Sequence, residues 1–222
     1  MSMPFYVAPE QVMKDRADYA RKGIARGRAL VALQFDGGVL IVAENPSKTL
    51  HKVSEIYDRI AFAGVGKYNE FDTLRQAGIR HADMKGYSFS REDVDARSLA
   101  NLYAQYLGNV FTHEMKPMEV EILVCEVGAT AADDSLYHVL YDGTVMDEEE
   151  ISIIGGDSEA IGTRLKAAYV AGMTQEAALQ VAVAALAGPE RTLTGDDLEV
   201  AVLERQGDRR AFRRLTGDAL TI

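Results

Sequence analysis

Apolar residues along the chain follow two patterns: short continuous runs, and longer stretches that recur every three or four positions. The first runs, 30–33 within the stretch 27–35 and 39–43, flank Asp36-Gly37-Gly38. Residues tolerant of positive φ between two aliphatic and β-branched runs predict a β-hairpin. Its strands are apolar on successive positions, so both faces are expected to be covered. Two more strands are predicted over 53–57 and 60–65. Ahead of the hairpin, Pro9 suits a first helical position, and Val12, Met13, Ala17, Ala20 and Ile24 recur at helical spacing. An amphipathic helix over 9–22 follows.

After the fourth strand, Asn69-Glu70-Phe71-Asp72 places a carboxylate three positions after a cap residue, predicting a helix that carries Leu74 and Ile79. Ser90-Arg91-Glu92-Asp93 repeats that start. Leu99, Leu102, Tyr103, Tyr106, Leu107, Val110 and Phe111 then return at helical spacing to about 111, and Lys116-Pro117 stops the helix. Four strands are predicted over 120–127, 136–141, 145–147 and 151–154, with Asp142-Gly143 as a second hairpin turn. A helix over 158–169 carries Ile161, Leu165, Ala168 and Tyr169. Thr174 caps the next, over 175–186, whose apolar residues run all round it and predict a sandwiched helix. Gly188-Pro189 ends it, and strands over 198–203 and 211–215 close the chain.

Helices and strands therefore arrive in blocks rather than strict alternation, which points to an α+β layered fold and away from a doubly wound one. A four-layer αββα sandwich of two stacked antiparallel sheets with flanking helices, plus an N-terminal helix, is one arrangement that covers every apolar strand. No internal repeat or linker divides the chain, so 9–222 is expected to be one domain behind a short tail, 1–8.

Composition narrows the function classes. The chain has 222 residues, 47% hydrophobic and 26% charged, a globular balance. With 24 basic against 34 acidic residues the net charge is −10, which argues against a dedicated nucleic-acid binder. Cys125 is the single cysteine and lies in an apolar run, where it reads as a small buried hydrophobe in a reducing compartment. Residues 1–7 lack the basic start and long apolar core of a secretory signal. No apolar run nears the roughly 20 residues that span a membrane, and a cytoplasmic location is expected. His51, His81, His113 and His138 lack metal-ligand spacing. Asp147-Glu148-Glu149-Glu150 reads as a solvated loop, and Arg209, Arg210, Arg213 and Arg214 as the wet face of an edge strand. Gly155-Gly156-Asp157-Ser158 matches neither the P-loop nor the dinucleotide pattern and reads as a tight strand-to-helix turn. No cofactor or metal site is expected.

The chemistry-bearing stretch is 27–52, with Arg28 ahead of the first strand, Glu44 at the end of the second and Lys52 a short loop later. This hairpin resembles the first two strands of proteasome subunits, members of the N-terminal-nucleophile hydrolase superfamily. In the family's catalytic β subunits, cleavage exposes a threonine whose hydroxyl attacks, supported by a carboxylate and a lysine. Here Arg28 stands at the matching position, and no threonine or serine lies between Ser2 and Ser47. A guanidinium stays protonated and cannot attack. Ala43-Glu44-Asn45-Pro46-Ser47, Tyr57-Asp58-Arg59, Lys67-Tyr68-Asn69-Glu70-Phe71 and Arg210-Ala211-Phe212-Arg213-Arg214 are similar to the actinobacterial α branch.

The resemblance implies a non-catalytic α subunit in a seven-membered ring of identical copies, docked on a β ring. It also implies Met1, Ser2, Met3, Pro4, Phe5, Tyr6, Val7 and Ala8 as a gate. Lys52, with help from Arg26, is implied to receive the C-terminal carboxylate of an activator tail, from a ring-shaped ATPase or an ATP-independent activator. Substrates would carry a ubiquitin-like tag. The chain departs from archaeal and eukaryotic α subunits in having only Tyr6 of a Tyr-Asp-Arg gate element, and in carrying Phe111-Thr112-His113-Glu114-Met115-Lys116-Pro117 where a glycine-rich pore segment is expected. Two other classes remain open at this point: an active threonine-type hydrolase, and a nucleotide-binding enzyme at Gly155-Gly156.

Overall fold

A computed structural model of the chain describes residues 8–206, 209–217 and 220. The hairpin forms as β1 (Leu30–Phe35) and β2 (Gly38–Glu44), paired from Leu30 opposite Ala43 to Phe35 opposite Gly38. Gly38 has φ 148°, and a Cβ there would lie 1.9 Å from Leu203 O, so the turn requires glycine. Every residue of β2 is buried, as its two-sided apolar run requires.

The other strands are β3 (Val53–Tyr57), β4 (Ile60–Gly66), β5 (Val120–Glu126), β6 (Ser135–Val139), β7 (Val145–Glu148), β8 (Ile151–Ile154), β9 (Leu198–Glu204) and β10 (Phe212–Leu215). They form two antiparallel five-stranded sheets, ordered β10-β9-β2-β1-β8 and β3-β4-β5-β6-β7. The period-2 alternation of each strand sorts its side chains into two cores. Leu30, Ala32, Val39, Ile41, Ala201 and Leu203 meet Ala61, Ala63, Leu123 and Cys125 between the sheets. On the outer face of the first sheet, Val31, Leu33, Leu40, Val42 and Val200 pack under α4 (Ser158–Ala168) and α5 (Gln175–Ala187). On the outer face of the second, Phe62, Ile122 and Val124 pack under α2 (Tyr68–Ser88) and α3 (Ala96–His113). The result is the four-layer sandwich. Each fully buried Leu, Ile or Phe here contributes on the order of 1.5–3 kcal/mol.

α1 (Pro9–Ala25) runs three residues past its expected end. Only its second half is a core element: Ala20 and Ile24 enter the inter-sheet core, while Met13 is exposed. α5 is capped by Thr174, whose side chain accepts from Ala177 N, and lies between α4 and the β1–β2 hairpin.

Two helix starts differ from expectation. α2 begins at Tyr68 behind Lys67, and Asn69 lies inside it. The expected Asn69–Asp72 box does not form: the Asp72 carboxylate accepts from Arg75 Nε at 2.9 Å and Gln76 Nε2 at 2.7 Å, while Glu70 accepts from Glu119 N at 2.7 Å and Lys116 Nζ at 2.8 Å, tying the helix to the entry of β5. Ser90 caps only a 3-10 turn, Arg91–Asp93, because Val94 then adopts an extended, buried conformation. The long helix starts afresh at Ala96, where Asp95 Oδ1 accepts from Ser98 N at 2.7 Å.

Candidate docking site beside an arginine-filled cleft

The register of the hairpin builds the site. With Leu30 opposite Ala43, Arg28 comes to lie beside Glu44, and its Nη1 donates to Glu44 Oε1 at 3.1 Å. Glu44 follows Leu40 and Val42 in parity, so it points to the face covered by α5. There Arg191, four residues past that helix, grips it with two bonds, Nη1 to Oε1 at 3.0 Å and Nη2 to Oε2 at 3.1 Å. The Glu44 side chain is 8% exposed and both arginines are about half exposed. These groups line a cleft of about 390 Å³ with Asp157, Arg164 and Glu190. None of the described residues lining it carries a hydroxyl or a thiol. A carboxylate held by two permanently charged guanidiniums offers neither nucleophile nor free base.

Lys52 lies against the same strand ends from the other side. Its Nζ donates to Arg28 O at 2.7 Å and to Glu44 O at 3.1 Å. Burial pushes its pKa down to about 8; the Glu44 and Glu199 carboxylates resist that shift and the Arg28 guanidinium adds to it. An ammonium has three N–H donors, and the two carbonyls occupy two of them.

The loop between β2 and β3 that carries Lys52 is gathered on Glu199 of β9. Glu199 Oε2 accepts from Asn45 Nδ2 at 2.8 Å and from Lys52 N at 2.7 Å. Oε1 accepts from Val53 N at 3.3 Å, lies 3.2 Å from His51 Nδ1, and pairs with Arg214. Arg214 also donates to Val53 O at 2.5 Å. So Arg214 turns inward and does not join a wet face. Arg209, Arg210 and Arg213 stay at the surface, paired with Asp58, Glu55 and Glu204.

Arg28, Glu44 and Lys52 are thus brought together. Arg26 is exposed at the C-cap of α1 and shares no hydrogen bond with Lys52 among the described residues. Of the gate, residues 1–7 lie outside the described residues; Ala8 is the N-cap of α1, its carbonyl accepting from Gln11 N at 2.9 Å. Gly155 and Gly156 have φ 73° and 56°, and a Cβ on Gly155 would fall 2.4 Å from Val65 Cγ1. The N-terminus of α4 behind them is occupied by its own Asp157 carboxylate, which accepts from Ala160 N at 3.2 Å. The geometry is that of a tight turn. Among the described residues no three metal-ligating side chains converge, and no helix is long and apolar enough to cross a membrane.

Sequence reasoning missed Arg191, Glu199 and Arg214. Only Glu199 left a signal: it shares strand parity with Ala201 and Leu203, a charge on a face that is otherwise apolar.

Paired antiparallel sheets between helix pairs, with Glu44 at the end of the first hairpin and Lys52 seated on the backbone beside it, define a subunit of the N-terminal-nucleophile hydrolase fold. The family model described as proteasome subunit matches residues 24–203. A proteasome subunit alpha of Acidimicrobium ferrooxidans is 68% identical over 98% of this chain and 94% of its own. Those of Sanguibacter keddieii and Thermobifida fusca are 58% and 56% identical over 99% of this chain, and 88% and 90% of theirs. The chain belongs to the proteasome subunit family, on its α side, and that membership implies assembly into a proteasome core with β subunits.

Proposed function

We propose that the chain is the non-catalytic outer-ring subunit of its core particle. It gates substrate entry and docks activators while a threonine-bearing β subunit cuts. The observation that carries this reading is the Arg28–Glu44–Arg191 cluster. At the position where family resemblance puts the attacking threonine, a guanidinium is bonded to the carboxylate that would support it. A side chain that never loses its proton and is already spent on an ion pair has no nucleophilic role.

Seven copies form each ring, and residues 1–8 close its axial pore. Lys52 receives the C-terminal carboxylate of an activator tail, either a ring-shaped ATPase that feeds proteins carrying a ubiquitin-like tag or an ATP-independent activator. Arg26, exposed at the C-cap of α1 two residues ahead of Arg28, adds positive charge. The geometry supports this use of Lys52. Two carbonyls orient the ammonium and leave its third N–H for an incoming oxygen, giving a charge-assisted bond. The particle works in the cytoplasm.

Imaging of particles that copurify with the tagged chain tests the assembly: four-tiered barrels with seven-fold end views are expected, and monomers without a threonine-bearing partner reject it. In such barrels Lys52→Ala is expected to abolish activator stimulation, scored against the basal rate of the same particles. Undiminished stimulation rejects the docking role.

A further inference from the structure

Lys52 is held at both ends. Its side chain rests on the carbonyls of Arg28 and Glu44, and its backbone N–H is fixed by Glu199, 147 residues further along the chain. The same carboxylate takes the N–H of Val53, the amide of Asn45 and the ring of His51. Asn45 closes the loop on itself as well, donating to Leu50 O at 2.7 Å and accepting from Ser47 N at 3.2 Å. Glu199 is 9% exposed at the side chain, and Arg214 of β10 braces it while also binding Val53 O. A carboxylate has about four lone-pair sites, and these donors fill them.

We infer that Glu199 is the positioning residue of Lys52: anchored on β9 and braced by Arg214, its carboxylate holds the loop so that the Lys52 ammonium stays seated on the carbonyls of Arg28 and Glu44. The consequence is preorganisation. A free lysine side chain must lose rotamer freedom when it pairs with an incoming carboxylate, whereas here that loss is already incurred in folding. The importance of this to activators rests on the docking reading above; the positioning itself does not.

The charged and titratable groups facing the ammonium are Glu44 at the end of β2, Arg28 ahead of β1 and Glu199 on β9, with His51 beside it on the loop. A role for Glu199 that is only electrostatic and a role in positioning move the titration of Lys52 in opposite directions. Loss of a nearby negative charge lowers a lysine pKa, whereas release from a dehydrated seat raises it.

The experiment measures the pH dependence of trace acetylation of Lys52 by mass spectrometry, in the assembled particle and in Glu199→Gln. Wild type is expected to titrate near 8, and Glu199→Gln to titrate higher, toward the ordinary lysine value of 10.5. A midpoint that stays in place or falls overturns the inference. If Glu199→Gln does not assemble, Asn45→Ala removes one link without stranding a buried charge and is read in the same way, with a smaller upward shift. Binding of a synthetic peptide with a free C-terminal carboxylate, set against its amidated form, separates the two readings. No loss of affinity in Lys52→Ala sinks the docking role and leaves the titration to decide the positioning. Unchanged affinity in Glu199→Gln, where Lys52→Ala abolishes binding, overturns preorganisation.

Discussion

Glu44 and Glu199 stand on neighbouring strands at the same end of one sheet, Ala43 paired with Glu199 and Glu44 with Leu198, yet they face opposite ways. Their side chains are almost equally buried, at 8% and 9% exposure. Glu44 turns toward the helices and is held by side-chain cations that reach in from solvent. Glu199 turns toward the second sheet and is held largely by the backbone and amide of one loop. A carboxylate paired with half-exposed side chains fills a cleft. One paired with backbone N–H groups fixes where the chain goes.

The largest expected effect follows from what each carboxylate would leave behind. Glu199→Ala strands two loop N–H groups and leaves the partly buried Arg214 without its carboxylate, at a combined cost of about 3–5 kcal/mol. Glu44→Ala frees Arg28 and Arg191, whose half-exposed guanidiniums can retreat to water, at about 1–2 kcal/mol. Urea unfolding of the two variants in the same assembly state reads the difference. Equal costs would mean that the kind of donor does not matter and would break the comparison.

A second, smaller effect sharpens it through pH. Lys52 titrates near 8 in the fold and at 10.5 when unperturbed, so between those values the unfolded chain binds the proton more tightly. Its destabilising contribution is present in full below about pH 8 and fades as pH rises to 10.5. Lys52→Met removes it. The stability difference, variant minus wild type, is therefore expected to fall across that window by about 1–2 kcal/mol, allowing for solvent screening of a half-buried amine. A flat difference would show that the Lys52 seat is wetter than its two carbonyl contacts indicate.

What is legible in the sequence divides along the same line as the two carboxylates. Arg28, Glu44 and Lys52 lie within one hairpin and its loop, where strand register alone brings them together, and the resemblance to proteasome subunits rests on the same local stretch. The central strands β2, β4, β5 and β9 announce themselves by apolar runs, because two-sided burial tolerates little else, whereas the edge strands β7 and β10 carry charged residues. Arg191, Glu199 and Arg214 are 139 or more residues from Lys52; Arg191 reaches Glu44 only once α5 packs on the sheet, and Glu199 and Arg214 meet the loop only once β9 closes beside β2. Arginines on an edge strand read equally as wet or inward-turned until that closure is known. The helix starts shift for a similar reason: α2 begins ahead of Asn69, where Lys67 N and the Glu70 carboxylate are tied to Glu119 at the entry of β5, and the burial of extended Val94 delays α3 past Ser90.

The smallest effects lie at the exposed rims of the two clusters. Arg28→Ala leaves Glu44 bonded twice by Arg191 and is expected to cost under about 1 kcal/mol. His51→Ala should cost less still, within about 0.5 kcal/mol, because the ring is half exposed and Glu199 keeps its backbone, amide and arginine donors. Both variants can be followed by the same urea unfolding as Glu199→Ala. If His51→Ala approaches the cost of Glu199→Ala, the loop is hung on the imidazole rather than on the backbone N–H groups. The contrast drawn between the two carboxylates would then fail at its better-bonded end.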